Sequence, residues 1–449
     1  MRELWLTEYR YVGPATVTGG FRLEPLRRLH VAPSALRAHA GQVRVGGGEL
    51  AADVLGVVEA EVAEFDVREV TGAAVLDRVS ARADLVARIS SLEPVSEVYT
   101  GPELAVSGGR GPLSLEARVE RGVLLPDSRL ADRTPEVWAR RGPVRARASI
   151  VVLGRAGEDA RAPIALSARA EEIEAAVGEQ HALRAAAAEG TLTLTSRDLG
   201  SVPSVAAIEA RLRSVAAPDL AALSALLPSK MRLLGGSAYA EAKLAYRPPM
   251  LDARLDGRFE QAGVRVGSVA IRGDGQAWVT ASSDDVTRGV RLPSAGVDLS
   301  RASVAVSDEE IRGLAVHLET EGASLTTSGE LQSGLTLLAT PGEEPLGLLA
   351  AAASLPEWVG EAAGGAKLTA RARVRAGGGA TALELVEAES GALSATGFLR
   401  DRGPRATGAF LLEAAPLSVG VAIDGDTSID LMVGEGWLRE RAGGDRRHR

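Results

Sequence analysis

From Lys367 to Arg375 apolar and polar residues alternate without a break. Leu368, Ala370, Ala372 and Val374 fall on one side, and Lys367, Thr369, Arg371, Arg373 and Arg375 on the other. A repeat of two sends successive side chains to opposite faces of a strand, so this stretch predicts one dry face and one wet face. Gly377-Gly378-Gly379 predicts a turn. Leu383 and Leu385, Leu393 and Leu399, Phe410 and Leu412 then recur at strand spacing. The run from Pro416 to Ile423 leads to Asp424-Gly425-Asp426, and Ile429 to Val433 returns. Together these predict an antiparallel meander of amphipathic strands. Leu251–Phe259, Leu113–Glu120, Val144–Ile150 and Ile164–Ala170 alternate in the same way. Short strands over residues 1–70 are punctuated by Gly or Pro at intervals of roughly ten residues. Between 71 and 100, Val75, Leu76 and Val79 partly fit a helix, but Ala81–Ile89 alternates, and strand is preferred.

The period changes in a few places. Thr134-Pro135-Glu136-Val137-Trp138 predicts one helical turn, with Thr as cap and Pro at the first helical position. Ser204 can cap a helix carrying Val205, Ile208, Leu212 and Val215, and a second helix carries Leu220, Leu223, Leu226 and Leu227 up to Pro228. Pro345-Leu346-Gly347-Leu348-Leu349, four alanines and Pro356-Glu357-Trp358-Val359 predict another helical break. The expected organisation is a β-rich part over 1–200, a helical insertion over 201–228, a central β-rich part over 229–340, a helical insertion over 341–363, a β meander over 364–440 and a frayed tail over 441–449.

About twenty-five strand candidates of roughly five to nine residues emerge, and an open twisted sheet rarely exceeds ~10 strands without curling or splitting. Stacked sandwiches, a closed barrel or one long curved sheet would each answer this. Many inward positions are Ala or Gly, which leaves room that a sandwich core would fill with larger side chains. The preferred architecture is mainly β: a long, twisted, curved antiparallel sheet forming an apolar groove, with a few short helices. Leaving such a groove open to water is unfavourable by about 25 cal/mol per Å². Acyl chains are its natural occupants, at ~0.8 kcal/mol per buried methylene. The alternating apolar residues expected to line it are Leu251, Leu255, Phe259, Leu368, Val374, Phe410, Leu412, Val419, Val421 and Ile423. Alternation by itself fits an open groove and a closed core equally.

Composition narrows the function classes. The chain has 449 residues, 45% of them hydrophobic, so a large apolar surface must be buried; only 3% are aromatic, so that surface is mostly aliphatic. Absence of cysteine removes disulfides and thiolate metal sites. A net charge of −8 with both signs interspersed argues against nucleic acid as a partner. The five histidines are scattered, with no His-x-x-x-His, and Asp424-Gly425-Asp426 lacks the later ligands of a calcium loop, so no metal site is expected. Gly46-Gly47-Gly48 and Gly377-Gly378-Gly379 lack the Lys-Ser/Thr of a phosphate loop, and neither Gly-x-Ser-x-Gly nor His-Glu-x-x-His occurs. No cofactor and no enzymatic activity are expected. The first residues show no signal-peptide pattern, and no run approaches the length of a transmembrane helix.

Residues 367–437 resemble the C-terminal region of the AsmA-like and TamB-like β-repeat proteins of Gram-negative envelopes. The resemblance is carried by Gly391 to Gly397, Ala406 to Leu412, Pro416 to Val421 and Gly436-Trp437-Leu438, with similar texture at Leu251–Phe259 and around 13–31. It implies a non-enzymatic protein of the periplasm or cell envelope that holds or conducts phospholipid between membranes or supports outer-membrane assembly, with inner- or outer-membrane proteins as partners. Such proteins usually begin with a membrane anchor, so this chain is expected to be a separated or partial subunit. The competing expectation is a structural or adhesive scaffold of stacked β domains. An enzyme on a β-helix, such as a polysaccharide lyase, is disfavoured by the scarcity of aromatics.

Overall fold

The computed structural model describes residues 3–6, 9–24, 27–99, 104–158, 163–198, 204–227, 231–266, 269–306, 309–341, 355–377, 380–402, 405–424 and 426–443. The protein is mainly β, 74% strand and 9% helix, and antiparallel, with curved sheet that is not closed. It forms two units. One comprises Met1–Val215 with Leu244–Pro248, the other Ala216–Lys243 with Pro249–Arg449.

In the first unit, Tyr9–Val12, Ala15–Thr18 and Phe21–Glu24 pair in turn with successive parts of the long strand Arg28–Val45. A meander then runs through Gly48–Asp66, Val79–Ile89, Gly111–Glu120, Arg129–Arg141, Val144–Ala156, Ile164–Val177 and Gln180–Leu194, each antiparallel to the next. Cross-strand partners share a face. The register sets Ala81, Ala83, Leu85 and Ala87 beside Val119, Ala117, Leu115 and Leu113, with Arg82 and Asp84 behind them. The alternation over Ala81–Ile89 therefore marks a strand, and Val75 and Leu76 belong to a preceding 3-10 helix, Gly72–Arg78.

The second unit repeats the plan. Met250–Val266, Val269–Ser283, Val290–Val306, Glu309–Leu325, Leu331–Thr340, Leu368–Gly377, Ala380–Ser390, Leu393–Arg402, Arg405–Ala414, Leu417–Asp424 and Asp426–Leu431 form one antiparallel ladder in chain order. Two short helices, Glu357–Ala363 and Glu435–Gly443, accompany its last strands. Of the helical break expected over 341–363, only the part from 355 is described; Pro345 to Leu349 and the four alanines lie outside the described residues.

Many strands run 13 to 19 residues, longer than the apolar alternation suggests, and bulges explain the difference. Non-glycine residues in left-handed backbone conformation sit at Ala40, Asp53, Glu136, Glu172, Gln261, Arg301 and Leu385, each where a ladder slips by a residue. One extra residue restarts the alternation out of phase, so apolar side chains on the same face end up three apart, which mimics a helix. Two expected helices are therefore corrected. Thr134 to Arg140 lie in the strand Arg129–Arg141, with the bulge between Thr134 and Val137. Val205–Ala217 is also a strand: Ile208, Ala210 and Leu212 alternate with Glu209, Arg211 and Arg213 before Ser214 takes a φ of 51°. Among the described residues of the 201–228 insertion only the 3-10 helix Leu220–Leu226 is helical, and Asp219 caps it by accepting a hydrogen bond from the Ala221 amide at 2.9 Å.

Candidate apolar binding face

All ten residues singled out by alternation lie in the second unit, and its register places them on one face. Phe259 is opposite Gly275, Gly275 opposite Leu299, Leu299 opposite Val316, Val316 opposite Ala339, and Ala339 opposite Leu368. The row continues through Ser390 to Leu393. Leu251 and Leu255 share the face of Phe259 by alternation along their strand and meet Ser283 and Val279. A second row runs from Val374 through Leu383, Leu399 and Gly408 to Ile423. Phe410 faces Val421, and Leu412 faces Val419. Eight intervening strands thus connect Leu251 to Val419 without the face changing hands.

On the strands from Met250 to Leu325 the reverse face carries the charge. There the row Arg258, Gln276, Asp298, His317 crosses four strands. His317 Nδ1 lies 2.5 Å from Asp298 Oδ1, and Gln276 Nε2 donates to Asp298 Oδ2 at 2.9 Å. The hydrogen bond from Gln276, followed by that with His317, holds the Asp298 carboxyl below the usual carboxylate range. The hydrogen bond with Asp298 raises the His317 imidazole above its ordinary value. Trp278 closes this patch, its indole N–H donating to Ser294 Oγ at 2.9 Å.

The apolar face is not uniform along its length. At its C-terminal end the helix Glu357–Ala363 lies over it, and Val359 and Val419, 2% and 0% exposed, seal a small core with Leu412 and Val421. There the predicted lining residues Leu412, Val419 and Val421 are core. Val374 is 9% exposed and Leu255 42%. Leu251, Phe259 and Leu368 are half-buried, with Leu368 packing against the buried Ile311 and Leu314. On the strands Met250–Val266 and Val269–Ser283 the face stays half-buried at Leu251, Phe259 and Val279 and open at Leu255, whereas on the next two strands Ala302, Ile311 and Leu314 are fully buried.

The first unit carries a matching apolar face of smaller side chains, in which Ala146, Ile150 and Val152 oppose Ala175, Ala170 and Ala168. Sequence reasoning missed one interruption of it. Asp132 lies between Leu113 and Val152 on that face. Thr134 Oγ1 donates to its Oδ2 at 3.4 Å, and burial pushes its carboxyl above the ordinary carboxylate range. The false helical reading of 134–140 hid this placement, because it moved Asp132 out of any ladder. Among the described residues no group of acidic or histidine side chains is arranged to hold a metal ion, and no helix is long and apolar enough to cross a membrane.

No protein-family model matches the chain, and no curated protein matches it.

Proposed function

We propose that this protein holds or conducts phospholipid through its acyl chains along the apolar face, as a non-enzymatic component of a cell envelope. One observation carries the reading: ten separated apolar residues share one face of one ladder, and at its N-terminal end that face leaves Leu255 open to solvent and Leu251 and Phe259 only half-buried. The exposed area supports it. The chain presents 26850 Å² to solvent, whereas a compact body of its mass would present about 16,000 Å² and two compact bodies of half that mass about 19,000 Å² together. Exposed aliphatic sheet is unfavourable at about 25 cal/mol per Å², and an acyl chain laid along it removes that penalty. The resemblance of residues 367–437 to the AsmA-like and TamB-like proteins agrees with this reading and motivates a periplasmic location, with membrane proteins of the envelope as partners.

Purified protein is expected to co-elute with phospholipid and, once delipidated, to take up a fluorescent fatty acid. Leu255→Arg is expected to lower that uptake at least several-fold while leaving the circular dichroism spectrum intact, because Leu255 is partly open to solvent. Uptake equal in parent and variant would remove the proposal. The sealed C-terminal core favours a second reading for that end alone, a structural cap with no cargo; charge at Val421 would unfold it and so tests packing instead of binding.

A further inference from the structure

One end of the first unit holds a mixed-charge cleft that the acyl-chain reading does not use. The strand Arg129–Arg141 and its neighbour Val144–Ala156 place Trp138 opposite Arg147 and Arg140 opposite Arg145. On the other side, Ala105–Gly108 places Ser107 beside Trp138 and Ala105 beside Arg140. The helix Glu93–Tyr99 is pinned to this short strand by Ser96, whose hydroxyl accepts from the Val106 amide at 2.8 Å and donates to the Leu104 carbonyl at 3.2 Å. Glu93 and Glu97, one helical turn apart, are thereby brought to the opposite wall. The cleft between them measures about 680 Å³, within the range of roughly 300–1,000 Å³ usual for small-molecule sites.

Its charges are left open. Arg147 is engaged, 2.9 Å from Glu174 and stacked 5.7 Å from the Trp138 ring. Arg145 donates to the Gly178 carbonyl at 3.3 Å. Neither Arg140, Arg145, Glu93 nor Glu97 forms an ion pair among the described residues. Two guanidinium groups directly opposite across a ladder repel each other, and a shared anion turns that repulsion into attraction. A carboxylate is satisfied by one bidentate arginine; two arginines arriving from different strands suit the tetrahedral oxygens of a phosphate. Glu93 and Glu97 call for a cation on the same ligand, and the half-exposed indole, with Arg147 stacked on it, offers apolar contact to the carbon link between the two charges.

We propose that this cleft binds a zwitterionic phosphate ester, a phosphate joined through a short carbon link to an ammonium group. Arg140 and Arg145 take the phosphate, Glu93 and Glu97 the ammonium, and Trp138 the carbon body. A free ester and a lipid head group share this chemistry. The site stands apart from acyl binding, because the soluble fragments phosphocholine and phosphoethanolamine carry no chain.

Calorimetric titration of the full chain tests it. Phosphocholine and phosphoethanolamine are expected to bind saturably and to change the part of the tryptophan emission lost in Trp138→Phe. Arg140→Ala and Arg145→Ala are expected to weaken both ligands at least ten-fold. The double variant Glu93→Gln with Glu97→Gln is expected to weaken both similarly while leaving inorganic phosphate no weaker. Competition of phosphocholine by phosphatidylcholine vesicles assigns the site to a lipid head group, and no competition assigns it to a soluble ester; each supports the chemistry. Absence of saturable heat, parent-like affinity in the arginine variants, or inorganic phosphate or glycine binding as tightly as the esters would each overturn it. All these side chains are exposed, and an unchanged circular dichroism spectrum certifies each variant as folded.

Discussion

Leu385 sits in the left-handed region at a φ of 52° with 64% of its surface in water. A β-carbon there is strained by about 1–2 kcal/mol, and glycine gives back roughly 0.5–1 kcal/mol as lost chain entropy. Leu385→Gly is therefore expected to stabilise the second unit by about 0.5 kcal/mol, read as a higher urea midpoint; a lower midpoint would show that the leucine packs usefully. His317 makes a different statement. Asp298 raises its folded pKa, so its stabilisation is complete below the unfolded value and is lost as pH rises through the folded one. His317→Gln should lose more stability at pH 5.5 than at pH 9, and a deficit independent of pH would rule the ion pair out as its source. For Asp132 the sign reverses. Burial raises its pKa, so the ionised form is penalised and the penalty is complete above the folded value. Asp132→Asn should raise stability at pH 8 and change little at pH 3, which denaturant titration at the two pH values checks.

Strands were legible wherever a dry face and a wet face alternate for five residues or more, as at Leu251–Phe259 and Leu368–Val374, because the period of two has one structural meaning. Bulges were not legible. Glu136 and Ser214 carry no turn-forming signature, and the phase jump they introduce reads as helical spacing in a short window. Nor did alternation reveal which stretch of the face is covered. That depends on where the helix Glu357–Ala363 returns, a long-range contact with no local pattern. The other short helix, Glu435–Gly443, depends on a single missing side chain. A β-carbon at Gly420 would come within 2.7 Å of Trp437 and 2.8 Å of Val433. Trp437 is held at that spot by its N–H to Asp430 at 2.9 Å, and Arg441 reaches the same carboxylate at 3.2 Å. Gly420→Ala is expected to cost about 1–3 kcal/mol by overpacking. Its signature would be red-shifted Trp437 emission and protease cleavage after Val433, and an undisturbed spectrum would mean the helix yields without leaving.

For the molecule as a whole, area sets the energetics. An unfolded chain of this mass exposes about 67,000 Å², so folding to 26850 Å² buries about 60%, the share typical of a 60-residue domain, where a compact chain of this length buries about 76%. The heat-capacity change of unfolding per residue is then expected to fall about a fifth below the usual ~12–15 cal/mol/K, measured by calorimetry on delipidated protein. A value in the ordinary range would show that the strands find partners the exposed area does not reveal. Long ribbons of one composition bring a hazard of their own, since two neighbours that slide by two residues still match oil to oil and salt to salt. The extra residue at Gln261, at Arg301 and at Leu385 removes that freedom. A strand notched at one point fits its neighbour in a single alignment, so each notch works as a key against slippage. Deleting Gln261 should leave the composition of both faces intact and yet yield a mixture of alignments.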